Sequence, residues 1–426
     1  MAVTGRLGLL ALFGALVVGL LAPSDAGLLA VGGVLLVLVV VDLVLAGSVR
    51  ALAFSRSGDT SVRLGEPCEV TLVVANPGGR TVRGALRDAW PPSAGALDRH
   101  AVKVPAGERR AFVTALRPTR RGDRTAARVT VRSVGPLGLA ARQGSHEVPW
   151  TVRVLPPFHS RKHLPSRLAR LQQLDGRNAV LIRGQGTEFD SLREYVIGDD
   201  VRSIDWRATA RAADVMVRTW RPERDRHVVL VLDTGRVSAG RVGDAPRLDA
   251  AMDAALLLAA LASRAGDRVD LLAYDRRLRA AVQGSSGASL VNAMAPLEPS
   301  LIETDARGMV AEVLQRTRRR ALVVLLTGLD AAPLEEGLFP VLSSLTARHE
   351  LIVASVADPR VAEMLTARGD AEAVYDAAAA SRTVAERQRV TERLGRHGVS
   401  VVDAVPEELP PALADRYLAL KAAGRL

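Results

Sequence analysis

Val228-Val-Leu-Val-Leu232 is an unbroken apolar run that stops at Asp233. A strand with one wet face alternates apolar and polar residues; an uninterrupted run has to be covered on both faces. Arg268–Tyr274, Ala321–Leu326, Glu350–Val356 and Val399–Val402 are further strands. Between them lie stretches with helical apolar spacing: Leu248–Ser263, Ala306–Arg318, Leu334–Ala347, Pro359–Ala367 and Tyr375–His397, with Glu407–Leu420 as a last docking helix. Strand and helix in alternation predict an α/β domain over 227–426, a doubly wound parallel sheet with helices on both faces. In such a fold chemistry gathers at the carboxyl ends of the strands, where Asp233, Thr327 and Asp330 fall.

Residues 49–156 follow another rule. Val70–Ala75 runs into the turn signal Asn76-Pro-Gly-Gly79, and Thr81–Leu86, Ala101–Val104, Ala111–Leu116, Ala127–Val134 and Trp150–Leu155 follow as short runs. This spacing predicts an antiparallel, sandwich-like domain. From Arg50 to Glu147 there are 17 basic and 8 acidic residues, most of the net charge of +11. His100 and His146 are isolated, and nothing here has catalytic spacing. The charge leaves open a domain that binds nucleic acid or an anionic membrane surface.

The N-terminal residues 1–48 are the most apolar. Leu7–Ala22 and Ala26–Ala46 would span roughly 24 and 30 Å as helices, the second interrupted only by Asp42. Arg6 precedes the pair, Arg50 and Arg56 follow it, and the connector Pro23-Ser24-Asp25 has no basic residue. A transmembrane hairpin with both ends in the cytoplasm is expected. The competing reading makes the first run a cleaved signal and the second the sole span, which also leaves the bulk of the chain cytoplasmic. The single cysteine, Cys68, excludes an intramolecular disulfide.

The connector, 157–226, carries the densest pattern. From Arg183 to Arg226 nine arginines meet nine carboxylates, with Tyr195, Trp206 and Trp220 interleaved in a chain only 3% aromatic. Equal numbers favour internal ion pairs over a free track for phosphates. Asp199, Asp200 and Asp205 are placed to hold Arg193, Arg202 and Arg207, without the spacing saying which holds which. Two readings stay open: a network that docks the segment, and a surface displayed to a partner.

The block Glu188-Phe-Asp-Ser-Leu-Arg-Glu-Tyr-Val-Ile-Gly-Asp-Asp-Val-Arg-Ser-Ile-Asp-Trp-Arg-Ala-Thr-Ala-Arg211, with Arg221-Pro-Glu-Arg-Asp-Arg226 and Leu232-Asp-Thr-Gly-Arg236, resembles the signature of the "domain of unknown function 58" family. Its signature positions here include Arg193, Glu194, Tyr195, Gly198, Asp199, Asp200, Arg202, Asp205, Trp206, Arg207, Arg211, Glu223 and Arg224. The resemblance implies a membrane anchor, a β-rich middle and a von Willebrand factor A-like domain. It also implies action with a MoxR-type AAA+ ATPase in assembling or activating other complexes. Von Willebrand A domains often hold Mg²⁺ through Asp-x-Ser-x-Ser, a Thr and a further Asp. Carried over, Asp233 matches the first Asp and Thr304 the loop Thr, but Gly235 and Val237 replace the serines and Gly328 the last carboxylate. A tight Mg²⁺ site is therefore not expected. With no phosphate-binding Gly-rich loop and no nucleophile elbow, the expectation is a non-enzymatic interaction protein without a cofactor.

Overall fold

The computed structural model describes residues 2–426 except 22, 182–187, 213, 222–225, 285–286 and 367. Within it the chain forms two compact units, Met1–Leu155 and Pro156–Leu426.

In the first unit, α1 (Gly5–Leu21) and α2 (Asp25–Leu45) are both apolar, and among the described residues α2 is the one helix long and apolar enough to cross a membrane. Ser24 caps α2 by accepting from the Gly27 amide at 3.1 Å. The strands are β1 (Ala53–Gly58), β2 (Cys68–Ala75), β3 (Val82–Ala89), β4 (Arg99–Val104), β5 (Arg109–Leu116), β6 (Gly122–Val134) and β7 (Ala140–Leu155). β1–β2–β5 form one antiparallel sheet, and β7–β6–β3–β4 the main path of another. Leu72, Val74, Leu86, Val102 and Val131 meet in the core, as period-two alternation requires. β1 has no apolar run to announce it. Its Arg56 instead reaches Asp88 of β3 as a buried ion pair at 2.6 Å, side chains 1% and 0% exposed. Trp90 Nε1 and Thr114 Oγ1 also donate to Asp88, so that carboxylate is fully engaged.

The second unit opens with α3 (Leu164–Leu181) and a small antiparallel hairpin, β8 (Glu188–Glu194) with β9 (Met216–Arg221). Then come β10 (His227–Asp233), α4 (Arg247–Arg264), β11 (Arg268–Tyr274), β12 (Leu278–Val282), α5 (Gly287–Met294), α6 (Ala306–Arg316), β13 (Leu322–Leu326), β14 (Glu350–Val356), α7 (Ala371–Arg396), β15 (Ser400–Ala404) and α8 (Leu409–Ala422). The sheet order is β12–β11–β10–β13–β14–β15, parallel except for β12 at the edge. Val228, Leu230 and Leu232 enter one core with α4 and α8, while Val229 and Val231 enter the other with α6. That two-sided burial is why β10 is apolar throughout. The connector is latched on by Ser160, whose amide and hydroxyl both donate to Asp253 of α4. At the other end Lys421 Nζ donates to buried Asp267 at 2.9 Å.

Candidate functional site

β11 lies on one side of β10 and β13 on the other, so the chain changes winding direction at the carboxyl end of β10. That is where α/β sheets open a crevice. Asp233 ends β10 there, 3% exposed. Its Oδ1 accepts the Gly235 amide at 2.8 Å and the Thr304 hydroxyl, and its Oδ2 accepts the Thr327 hydroxyl at 2.6 Å. Thr304 arrives on the loop before α6, which is sewn over the strand end by Ser300 N–H to Thr234 O and Arg236 N–H to Ile302 O. Burial pushes the Asp233 carboxyl above its ordinary value, and the three donors oppose that shift. The structure thus brings together Asp233 and Thr304 as the sequence comparison paired them, and adds Thr327.

Two of the positions where a Mg²⁺ cradle carries its oxygens are filled by neighbouring side chains. A Cβ on Gly235 would lie 2.0 Å from Thr304 Oγ1, so the Thr304 hydroxyl occupies the space a serine there would need. A Cβ on Gly328 would lie 2.2 Å from Val237 Cγ1, so a methyl of Val237 blocks the position of the missing carboxylate. Asp330, two residues on, turns toward Arg247 at 3.7 Å. One carboxylate with two hydroxyls aimed at it is a poor donor set for a hard cation. Among the described residues no group of three or more His, Cys, Asp or Glu is arranged to hold a metal. Beside Asp233 a shallow cleft is lined by Val237, Ser238, Arg247, Thr327 and Gly328.

The signature segment makes a second site. Val196-Ile-Gly-Asp199 turns the chain after β8, with Gly198 at φ +111°, a conformation that costs other residues dearly. Arg193 Nη2 donates to Asp199 Oδ1 at 2.5 Å, and Asp199 Oδ2 accepts the Val196 amide at 2.9 Å. Spacing alone leaves open which arginine this carboxylate holds, and the bond raises the Arg193 pKa. Asp200 and Asp205 are engaged differently. Asp200 accepts the Arg202 amide, capping the one-turn helix Val201–Ser203. Asp205 caps the next turn, Trp206–Thr209, through the amides of Arg207 and Ala208, and takes the Arg218 guanidinium at 2.7 Å. The Arg218 bond is the chief cause of the lowered Asp205 pKa. Among the described residues the Arg202, Arg207 and Arg211 guanidiniums make no ion pair.

Tyr195 is half-buried, with its amide donating to Val215 O at 2.7 Å, while Glu194 is exposed. Trp206 is 68% exposed, and Ile197 is 96% exposed. Glu223 and Arg224 lie outside the described residues. Sequence reasoning missed the exposed apolar set Leu192, Val196, Ile197 and Val201. The available signal was four apolar residues in a stretch where charges occupy nearly every other position.

The family model described as "Protein of unknown function DUF58" matches residues 191–405. Uncharacterized proteins of Mycobacterium tuberculosis and Mycobacterium bovis are 28% identical over 197 residues, covering 45% of this chain. The chain spans 61% of the length of these curated relatives. Among solved structures, a CARDB domain from Pyrococcus furiosus with di-metal ions gives a TM-score of 0.19 at 18% identity, over 24% of this chain and 91% of that one. A FixG-related protein from Vibrio parahaemolyticus gives 0.16 at 13%, over 24% of this chain and 96% of its own.

Proposed function

The chain belongs to the DUF58 family, and from that premise we propose that it is a membrane-anchored, non-enzymatic interaction protein whose signature hairpin docks a partner protein. The observation that carries this reading is the exposure of Val196, Ile197, Val201 and Trp206, at 61%, 96%, 62% and 68%, on a hairpin whose caps hold it in shape. Large apolar side chains held in solvent among unpaired arginines fit a protein interface, where aromatic and arginine residues concentrate binding energy. The partner is a MoxR-type AAA+ ATPase, and the pair acts in assembling or activating other complexes; the family resemblance supports this choice. The α/β domain is von Willebrand factor A-like, a reading supported by the strand-end Asp233–Thr304–Thr327 cluster. No cofactor is needed, and Mg²⁺ has no suitable cradle there.

The apolar helices anchor the chain as a pair, with both units in the cytoplasm, in keeping with Arg6, Arg50 and Arg56 flanking them. Crosslinking of the full-length protein in its native membrane tests the docking reading. Wild type should capture an AAA+ ATPase, and Ile197→Asp with Trp206→Ala should lose it while stability shifts by no more than about 0.5 kcal/mol. Undiminished capture by that folded variant would overturn the assignment of the surface.

A further inference from the structure

The end of α2 is where helix and β-rich unit are joined, and cations crowd it. Arg142 Nε donates to the Leu43 carbonyl at 2.9 Å, and Arg80 Nη1 to the Val44 carbonyl, so two guanidiniums sit on adjacent carbonyls of the last helical turn. Gly138 leaves the space that Arg6 fills: a Cβ there would lie 2.8 Å from Arg6 Nη1. The start of β3 is drawn to the same level, since a Cβ on Gly47 would lie 2.6 Å from Thr81 O. One residue further into β3, Arg83 stands directly opposite Lys103 of β4, both exposed. Like charges directly opposite across a ladder are destabilising unless something neutralises them.

The acid at the end of α2 does not do so. Asp42 is fully buried, and its two oxygens accept the amides of Leu137, Leu139 and Ala140 at 2.7, 2.7 and 2.8 Å. Among the described residues Arg6, Arg80, Arg83, Lys103 and Arg142 form no ion pair. Directly beyond the collar, α1 and α2 present Leu9, Phe13, Leu36 and Val40 to the surroundings, and Leu137 on the β6–β7 turn is 45% exposed. Cations within a helical turn of an apolar span lie at the depth of lipid headgroups.

We infer that this collar binds the phosphates of anionic phospholipids in the leaflet facing the β-rich unit. The inference rests on the anchoring proposed above. It commits to lipid over polynucleotide because the cations ring an apolar helix end, where a nucleic acid would meet hydrocarbon. Each guanidinium then bridges a helix carbonyl to a headgroup, and Arg83 with Lys103 extends the site onto the sheet.

The experiment uses full-length protein in neutral detergent, titrated with phosphatidylglycerol, phosphatidylcholine, inorganic phosphate and a single-stranded oligonucleotide, with thermal stabilisation as readout. Phosphatidylglycerol should stabilise wild type and the other three should not. Arg83→Gln with Lys103→Gln, two exposed changes that leave α2 untouched, should weaken the phosphatidylglycerol response about thirtyfold. Arg80→Gln with Arg142→Gln should abolish it. Equal responses to the two lipids, an unchanged response in the Arg83/Lys103 variant, or a stronger response to oligonucleotide or free phosphate would each overturn the inference. Alkaline carbonate washing of native membranes separates the two layers of the reading. Release of wild type overturns the anchoring and this inference with it; retention with equal lipid responses overturns this inference alone.

Discussion

Asp233 receives donors from three separate stretches of chain, the Gly235 amide and the hydroxyls of Thr304 and Thr327. These tie the end of β10 to the loop before α6 and to the end of β13. Asp233→Asn turns an amide toward donors and should cost about 1–3 kcal/mol. Mg²⁺ should leave the melting temperature of wild type and variant alike unchanged. A Mg²⁺-dependent rise in wild type that Asp233→Asn abolishes would restore the metal site. His349 offers a pH test. It is 4% exposed, both ring nitrogens lack a partner among the described residues, and burial lowers its pKa, with Arg348 and His227 adding to the effect. The folded ring therefore takes up its proton at lower pH than the unfolded chain, where it protonates below about pH 6.5. The unfolded state then binds more protons, so stability is full above that pH and falls as pH drops. The wild-type melting temperature should decline from about pH 7.5 to about 5.5 more steeply than that of His349→Leu. Parallel slopes would remove His349 from the linkage.

At the scale of elements, a single carboxylate seats α2 on the β6–β7 turn. Gly135 makes room for it, since a Cβ there would lie 2.2 Å from Asp42 Oδ1. Asp42→Leu leaves three amides without their acceptor and should cost about 3 kcal/mol or more, with Asp42→Asn intermediate. Denaturation of the detergent-solubilised full-length protein measures this, and an Asp42→Leu protein as stable as wild type would show the turn to be held by other contacts. Asp42 stood out in the sequence only as a blemish in an apolar run; its partners lie more than ninety residues away. The signature hairpin teaches a related lesson. Its carboxylates read as ion-pair partners of Arg193, Arg202 and Arg207; Asp200 and Asp205 instead cap the turns that carry Arg202 and Arg207, and Asp205 takes Arg218 as well. A carboxylate two or three residues before a free amide binds it with little loop entropy, whereas a long arginine must be immobilised to compete.

Over the whole molecule, legibility follows burial. β10 and β13 were readable because strands covered on both faces carry unbroken apolar runs, and β11 and β14 because theirs, after the opening Arg268 and Glu350, are broken only by Asp270 and by Ser355. β12 was not: it pairs on one edge only, and its Leu-Arg-Ala-Ala-Val is half-exposed. The six sandwich runs from Val70 to Leu155 all became strands, but β1 escaped because its tie to the opposite sheet is the Arg56–Asp88 pair rather than an apolar stripe. Local pattern and composition determined the α/β alternation, the β-rich middle, the apolar N-terminus and the place of Asp233 at a strand end, since each depends on neighbours within a turn or a strand. Only the tertiary structure decided that Thr304 and Thr327 close on Asp233, that Val237 fills the place of a missing ligand, that Ile197 and Trp206 face solvent, and that Arg80 and Arg142 reach the last carbonyls of α2. Those outcomes depend on which segments, far apart in the chain, are brought within a few ångströms, and residue spacing carries no record of that.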